Sequence, residues 1–192
     1  MLNSSPLQAK EINLENGEIL FTNGNTVKHD AVIGADGIGS TVRQIIGIKP
    51  IRKPASCTCL HANVDTEKAV DLGLFDYSRN NALEYWGGYH THYKIVLSPC
   101  NGGRLLSYYC FFPREAGDFT NESWDQTATV GQLLAPYPDL DRRVFEHLGI
   151  GYEVRPWRLW LHEPYPRWQK GLACIMGDAA HPVGHILEPP QS

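Results

Sequence analysis

Polar and apolar residues alternate along much of this chain, a β-strand signal, and glycine- or proline-containing breaks cut the alternation into short segments. Glu11-Ile12-Asn13-Leu14 and Glu18-Ile19-Leu20-Phe21 flank Asn16-Gly17, which predicts a hairpin closed by a type I′ turn. A second turn at Asn23-Gly24-Asn25 leads to the apolar run Ala31-Val32-Ile33, a glycine-rich loop, and then Thr41 to Ile46, which suits a short helix. The order there is strand, loop, helix. Four β-rich runs follow, Ser56 to Val64, Ala82 to Tyr89, Tyr93 to Leu97 and Arg104 to Phe112, separated by Gly87-Gly88, Ser98-Pro99 and Asn101-Gly102-Gly103. They predict a mostly antiparallel sheet. Helices are expected over Thr66 to Leu72, from the cap Ser123-Trp124-Asp125-Gln126 through Leu134, and from Asp139-Leu140 through His147. Glu153 to Leu161 reads as a strand, and Gly171 to Met176 as a short buried strand ending at Gly177-Asp178. No internal repeat or low-complexity tract appears.

Composition narrows the class without changing that pattern. A chain of 192 residues with 42% hydrophobic and 20% charged residues suits a packed globular domain, and one of this size buries roughly 70% of its unfolded surface. The net charge of −4, with no clustered Lys or Arg, argues against a nucleic-acid partner. No run approaches the roughly 20 apolar residues of a transmembrane helix, and the start lacks signal-peptide features, so a cytoplasmic location is expected. Five cysteines at 57, 59, 100, 110 and 174 contain no C-x-x-C pair and read as buried reduced thiols. Cys57 with Cys59, and His90 with His92, would each share a strand face, but neither pair has further ligands in view, so no metal is expected.

Two loops carry the chemistry. Each places an Asp beside Gly directly after a short apolar strand, where a backbone can approach a ligand closely and amide groups can meet its oxygens. The first runs Gly34-Ala35-Asp36-Gly37-Ile38-Gly39-Ser40-Thr41-Val42-Arg43. Its glycines are spaced G-x-x-G-x-G, which is not the G-x-G-x-x-G dinucleotide fingerprint. The second runs Gly177-Asp178-Ala179-Ala180-His181-Pro182, with two small Ala residues that let a helix start close to the sheet. Read alone, either could be an ordinary Asp-Gly turn or helix cap.

Together and in this order, the loops resemble the second and third flavin-contacting motifs of flavin-dependent monooxygenases of the para-hydroxybenzoate and salicylate hydroxylase type. The segment Arg155-Pro156-Trp157-Arg158-Leu159-Trp160 and the turn Trp168-Gln169-Lys170-Gly171 look closest to fungal members. The resemblance implies an α/β fold: a partial FAD-binding region over residues 1–50, a mostly antiparallel substrate-facing β-sheet with helices over 51–165, and a return to the FAD-binding region over 166–192. It implies FAD as cofactor, NAD(P)H as co-substrate and O₂ as oxidant, with one oxygen atom delivered to a small aromatic or polyketide-like substrate in secondary metabolism or aromatic catabolism. On this resemblance Asp178, with Gly177, Ala179 and Ala180, would meet flavin ribityl or pyrophosphate oxygens. Asp36, Gly37 and Arg43 would support the flavin and help receive NAD(P)H. Many salicylate-type relatives have an Arg early in the first β-run, where this chain has Leu60-His61, so His61 becomes the candidate beside the substrate, with Tyr85 and Tyr93 as further catalytic candidates on the sheet.

The pattern also departs from that family. No G-x-G-x-x-G βαβ unit precedes Ala31, the later Pro of the third motif is missing after Pro182, and Glu188-Pro189-Pro190 forbids the helix expected there. A truncated chain is therefore expected, with a non-catalytic remnant that binds substrate or a partner but not FAD as the alternative to an active enzyme. Apolar sheet edges would then be exposed. A third reading keeps the flavin fold and changes the reaction, as in flavin halogenases and isoprenoid reductases. The Trp-x-Trp-x-Ile signature of the halogenases is absent.

Overall fold

The computed structural model describes residues 7–88, 93–117, 126–157 and 159–182. These fall into two compact units, one made of residues up to 53 together with those from 160 onward, the other of residues 54–159. The first unit begins with an antiparallel meander, β1 (Ala9–Asn13), β2 (Glu18–Phe21) and β3 (Thr26–Lys28). The β1–β2 connection is not a type I′ turn, because only Gly17 is left-handed (φ 72). The Asn13 side chain instead accepts from Glu15 N and Asn16 N (3.0 and 3.3 Å), and Gly17 N donates to Asn13 O. Next come β4 (Val32–Gly34), the glycine-rich loop, the five-residue helix α1 (Thr41–Ile45) and β5 (Arg52–Pro54).

The second unit is a five-stranded antiparallel sheet with helices on one face. Its elements are β6 (Cys57–Asp65), α2 (Thr66–Asp71), β7 (Glu84–Gly87), β8 (Lys94–Cys100), β9 (Leu105–Pro113), α3 (Val130–Leu134), α4 (Arg142–Gly149) and β10 (Tyr152–Trp157). The strand order is β10-β6-β9-β8-β7. Strands β6 and β9 pair along their whole lengths, from Cys57 opposite Pro113 to Asp65 opposite Leu105. The period-two pattern sends Leu60, Ala62 and Val64, with Leu106, Tyr108, Cys110 and Phe112, into one core with Leu133, Val144 and Leu148 of the helices. Each such fully buried large side chain contributes about 1.5–3 kcal/mol by leaving water. At the end of β6 the Asp65 carboxylate caps α2 by accepting from Glu67 N and Lys68 N, so strand turns directly into helix.

Four boundaries differ from the sequence reading, each for a local reason. Ser98-Pro99 lies inside β8: β7 pairs with β8 only from Lys94 to Leu97, so Pro99 sits where that side of the strand needs no donor. Helix α3 starts at Val130, because Thr129 and Gln132 form a reciprocal capping box; residues 126–129 are not helical, and 118–125 lie outside the described residues. Helix α4 is capped by Asp141, which accepts from Arg143 N at 2.9 Å, two residues beyond Asp139. The expected strand from Glu153 to Leu161 is two strands. The first of them, β10, tolerates Pro156 because it is the sheet's edge. The His90–His92 pair lies outside the described residues.

The chain re-enters the first unit through β11 (Trp160–His162), which pairs with β5, and continues into β12 (Gln169–Lys170) and β13 (Ala173–Ile175). Strand β13 pairs antiparallel with β12 and parallel with β4, in the register Ala173–Val32, Cys174–Ile33 and Ile175–Gly34. Val32, Ala173 and Ile175 pack on Val42 and Ile46 of the α1 segment and on Ile12 of β1. The other side of this short sheet leaves Ile33 and Met176 exposed. Gly34 is required for close packing: a Cβ there would lie 2.5 Å from Val42 Cβ, so even Ala would push α1 off the sheet. No helix of the described residues is long and apolar enough to cross a membrane. None of the five cysteines forms a disulfide, and burial pushes the thiols of Cys59 and Cys110 up, keeping them protonated.

Candidate functional site

The parallel pairing of β4 with β13 places two loops at neighbouring carboxyl ends of one sheet. In open α/β sheets that position forms a ligand crevice. The residues from Gly34 to Arg43 leave β4, and Gly177–Ala179 leaves β13 as a single 3-10 turn. Gly37 (φ 74) and Gly177 (φ 58) both adopt left-handed backbone, and nothing lies within 4 Å of where a Cβ would stand on either. Each loop therefore presents bare backbone beside open space.

Arg43 joins the two loops from beneath. It is only 3% exposed, yet its terminal nitrogens donate to Ile38 O in its own loop and, at 3.1 Å, to Ala179 O in the other. The guanidinium also lies over the Tyr165 ring, 5.6 Å from its centroid. Its Nε is buried without a hydrogen-bond partner, and neither ion pair found among the described residues involves Arg43. A buried cation thus stands under the loops, met among the described residues by two carbonyl dipoles and the Tyr165 ring.

The two aspartates look equivalent in the sequence and behave differently in the fold. Asp36 turns back on its own loop: its carboxylate accepts from Ser40 Oγ at 2.5 Å, Thr41 N at 2.7 Å and Val42 N at 3.1 Å. Burial raises its pKa, but the Ser40 hydroxyl and the backbone donors outweigh that and hold it below the usual range. The amides at the start of α1, which the sequence offers to a ligand, are thereby occupied, and Ser40 Oγ takes Arg43 N as well. Asp178 is exposed and its carboxylate makes no hydrogen bond to a described residue. Ala179 and Ala180 are buried: Ala179 O holds Arg43 and Ala180 N donates to Gly177 O. Gly177 and Asp178 are the exposed pair of the second loop.

The other candidates lie on the five-stranded sheet and do not converge. Cross-strand partners run Arg155, His61, Tyr109, Val96, Tyr85, so these five share the face opposite the helices. His61 and Tyr85 are three strand spacings apart, roughly 14 Å, too far to meet one small ring. Tyr93 is separate from both: its ring meets Tyr137, a member of the core beneath the helices, at 6.0 Å. His61 sits in a built environment, with Nε2 2.7 Å from Ser107 Oγ and its ring clustered with Tyr109 (4.9 Å) and Trp157 (5.6 Å). Ser107, Tyr109 and Trp157 escaped the sequence reading because only strand register brings them to His61. The alternation in β9 and β10 was their one available signal.

Burial lowers the pKa of three histidines, His61, His147 and His162, below the ordinary 6.5. At His61 Glu153 opposes the effect and Arg155 reinforces it; at His162 Arg43 and Arg52 reinforce it. His147 is fully buried against Tyr77 and Tyr108, and neither ring nitrogen has a partner in good hydrogen-bond geometry, although the nearby Phe75 backbone pulls its pKa back up somewhat. Because the folded chain binds these protons less readily than the unfolded one, their contribution to stability is complete above about pH 6.5 and is lost as pH falls through the lowered folded values. Denaturant unfolding between pH 7.5 and 5 should show a falling free energy, with the fall reduced in His147→Gln. A flat profile across that window would contradict the assignment.

Comparison with known proteins bears on the same loops. The family model described as FAD binding domain matches residues 13–184. The FAD-dependent monooxygenase ntnJ of Nectria sp is 25% identical over 175 residues, covering 89% of this chain and 41% of that protein. Hispidin-3-hydroxylase of Neonothopanus nambi is 24% identical, covering 85% of this chain and 42% of the relative. 3-Hydroxybenzoate 6-hydroxylase 2 of Aquipseudomonas alcaligenes is 29% identical over 167 residues, 86% of this chain and 48% of the relative. The chain thus spans less than half the length of these curated relatives. Among solved structures, a salicylate hydroxylase substrate complex superposes with a TM-score of 0.65 at 20% identity, over 93% of this chain and 46% of that one. CtdE in complex with FAD superposes with a TM-score of 0.67 at 18% identity, over 92% and 48%. With a family match running from β1 past the Asp178 loop, the chain belongs to the FAD binding domain family.

Proposed function

We propose that this chain carries flavin-binding and substrate-binding parts of an FAD-dependent monooxygenase. It uses NAD(P)H and O₂ to place one oxygen atom on a small aromatic or polyketide-like molecule, in fungal secondary metabolism or aromatic catabolism. The observation that carries this reading is the pair of glycine loops on adjacent parallel strands, bracketed from below by Arg43.

The residues fit FAD. Gly37 and Gly177 leave space for a chain of ribityl and phosphate oxygens to lie against the backbone. Asp178 offers an unengaged carboxylate to ribityl hydroxyls, and the buried Arg43, with its unpartnered Nε, supplies positive potential under a diphosphate. Asp36 shapes its loop and Arg43 fixes the distance between the loops, so both act as positioning residues beneath the site and not on NAD(P)H. FAD held there would supply the redox chemistry, carrying the reducing equivalents of NAD(P)H to O₂, of which one atom would enter the substrate and the other leave as water. On the sheet, His61 faces the substrate as a neutral imidazole, with Ser107 at Nε2 and Nδ1 left to meet a polar group of the substrate. Tyr85, 55% exposed and distant from His61, lines the same face, while Tyr93 supports the opposite one.

The reading is tested by loading the purified chain with FAD and mixing it anaerobically with NADH or NADPH. Bleaching of bound flavin, followed on addition of 3-hydroxybenzoate and air by a product that has gained one oxygen atom, is expected. Bound flavin that neither pyridine nucleotide bleaches would contradict the proposed activity.

A further inference from the structure

We propose that Arg155 is a specificity-determining residue that, with His61, anchors the anionic group of a flat aromatic carboxylate on the sheet face of the second unit. The inference rests on the reading of that face as substrate-binding. Strand register sets Arg155 directly opposite His61, so the two side chains leave the same face about 5 Å apart at Cβ. Arg155 makes no ion pair or hydrogen bond to a described residue. A neutralising partner stands two residues away, but a bulge in β10 puts Glu153 at φ 50, and its carboxylate accepts from Asn63 Nδ2 at 3.1 Å. Among the described residues the guanidinium is left without a counter-charge beside a half-buried imidazole.

The surroundings select the rest of the ligand. Tyr109, Trp157 and His61 form a mutual ring cluster, with Tyr109 and Trp157 5.4 Å apart. Trp157 stacks on His61 with one side and stays 46% exposed, leaving ring surface for a flat aromatic guest. Ser107 engages His61 Nε2, which leaves Nδ1 as the imidazole's available hydrogen-bonding atom. A guanidinium fork, an imidazole nitrogen and an exposed indole together match a ring bearing a carboxylate, the group that Arg recognises with two parallel hydrogen bonds. A neutral ring would leave the guanidinium without a partner.

The 192-residue chain should be titrated with 3-hydroxybenzoate and with 3-hydroxybenzamide, which differ in charge and not in ring, following tryptophan fluorescence. The wild-type chain is expected to bind the acid at least about tenfold more tightly than the amide, with the preference shrinking as salt rises. Arg155→Gln should reduce the preference to within about twofold while leaving amide affinity unchanged, and Arg155→Lys should retain part of it. An unchanged preference in Arg155→Gln, or a wild-type chain that binds neither compound, would overturn the proposal. Flavin retention measured on the same samples separates the two readings. A chain that holds FAD but does not discriminate the pair removes the anion anchor alone; one that discriminates but holds no FAD removes the monooxygenase reading and leaves the anchor.

Discussion

Arg43→Met is expected to cost the chain about 2–3 kcal/mol of unfolding free energy, read as a lower denaturant midpoint. The methionine keeps the aliphatic stem packed but removes both donors, leaving Ile38 O and Ala179 O without their partner. An unsatisfied buried carbonyl costs about 1–3 kcal/mol, and Ala179 is fully buried whereas Ile38 O lies in a loop that water can reach. Relief of the desolvated charge works in the other direction, since a buried ion replaced by an apolar side chain regains its desolvation cost. Two bonds lost to carbonyls, one of them dry, should still dominate. Arg43→Lys tests the geometry: one ammonium on a flexible stem cannot reproduce a planar fork aimed at two loops, so it should recover less than half of the loss. Full recovery by lysine would show that charge alone matters and that the bracket does not exist.

The second large effect separates the two aspartates. Asp178→Asn should weaken FAD binding by about tenfold to a hundredfold, the range expected when a charge-assisted hydrogen bond to a ligand is lost, and should leave the unfolding midpoint unchanged. Asp36→Asn should do the reverse in proportion: it removes a carboxylate that accepts from Ser40, Thr41 and Val42, so stability should fall by about 1 kcal/mol, as for a lost helix cap. Flavin affinity would then drop only as far as the loop loosens. Both constants can be read from flavin fluorescence titration beside denaturant unfolding of the same preparations. Equal stability losses in the two variants would contradict the division of roles.

Much of this is legible in the sequence, because the informative signals are local. Alternation in β6 and β9, the helix beginning at Thr66 and the strand-loop-helix order around Asp36 each depend on neighbours within a few residues. What escaped the reading depends on contacts distant in sequence. The Arg43 bond to Ala179 spans 136 positions, and no periodicity points to it. The different states of Asp36 and Asp178 follow from which way each loop folds, although Ser40-Thr41 four residues after Asp36 was a capping signal of the usual kind. Tyr93 read as a sheet residue beside Tyr85, but its ring packs with Tyr137 on the helical side. Arg155 became visible only through the register of β10 across a bulge, and bulges leave no reliable mark in one sequence. Pro99 read as a breaker because the sequence does not reveal which strand edges lack a partner.

The central claim is that the two glycine loops, held together by Arg43, form a flavin site in this chain. Its most direct test is gel filtration of the purified 192-residue protein after incubation with FAD, following flavin absorbance and protein together. The account predicts yellow protein, with flavin eluting in the protein peak for the wild-type chain and lost from that peak in Asp178→Ala. A folded, colourless wild-type chain, with all of the flavin eluting at the small-molecule volume, would contradict it.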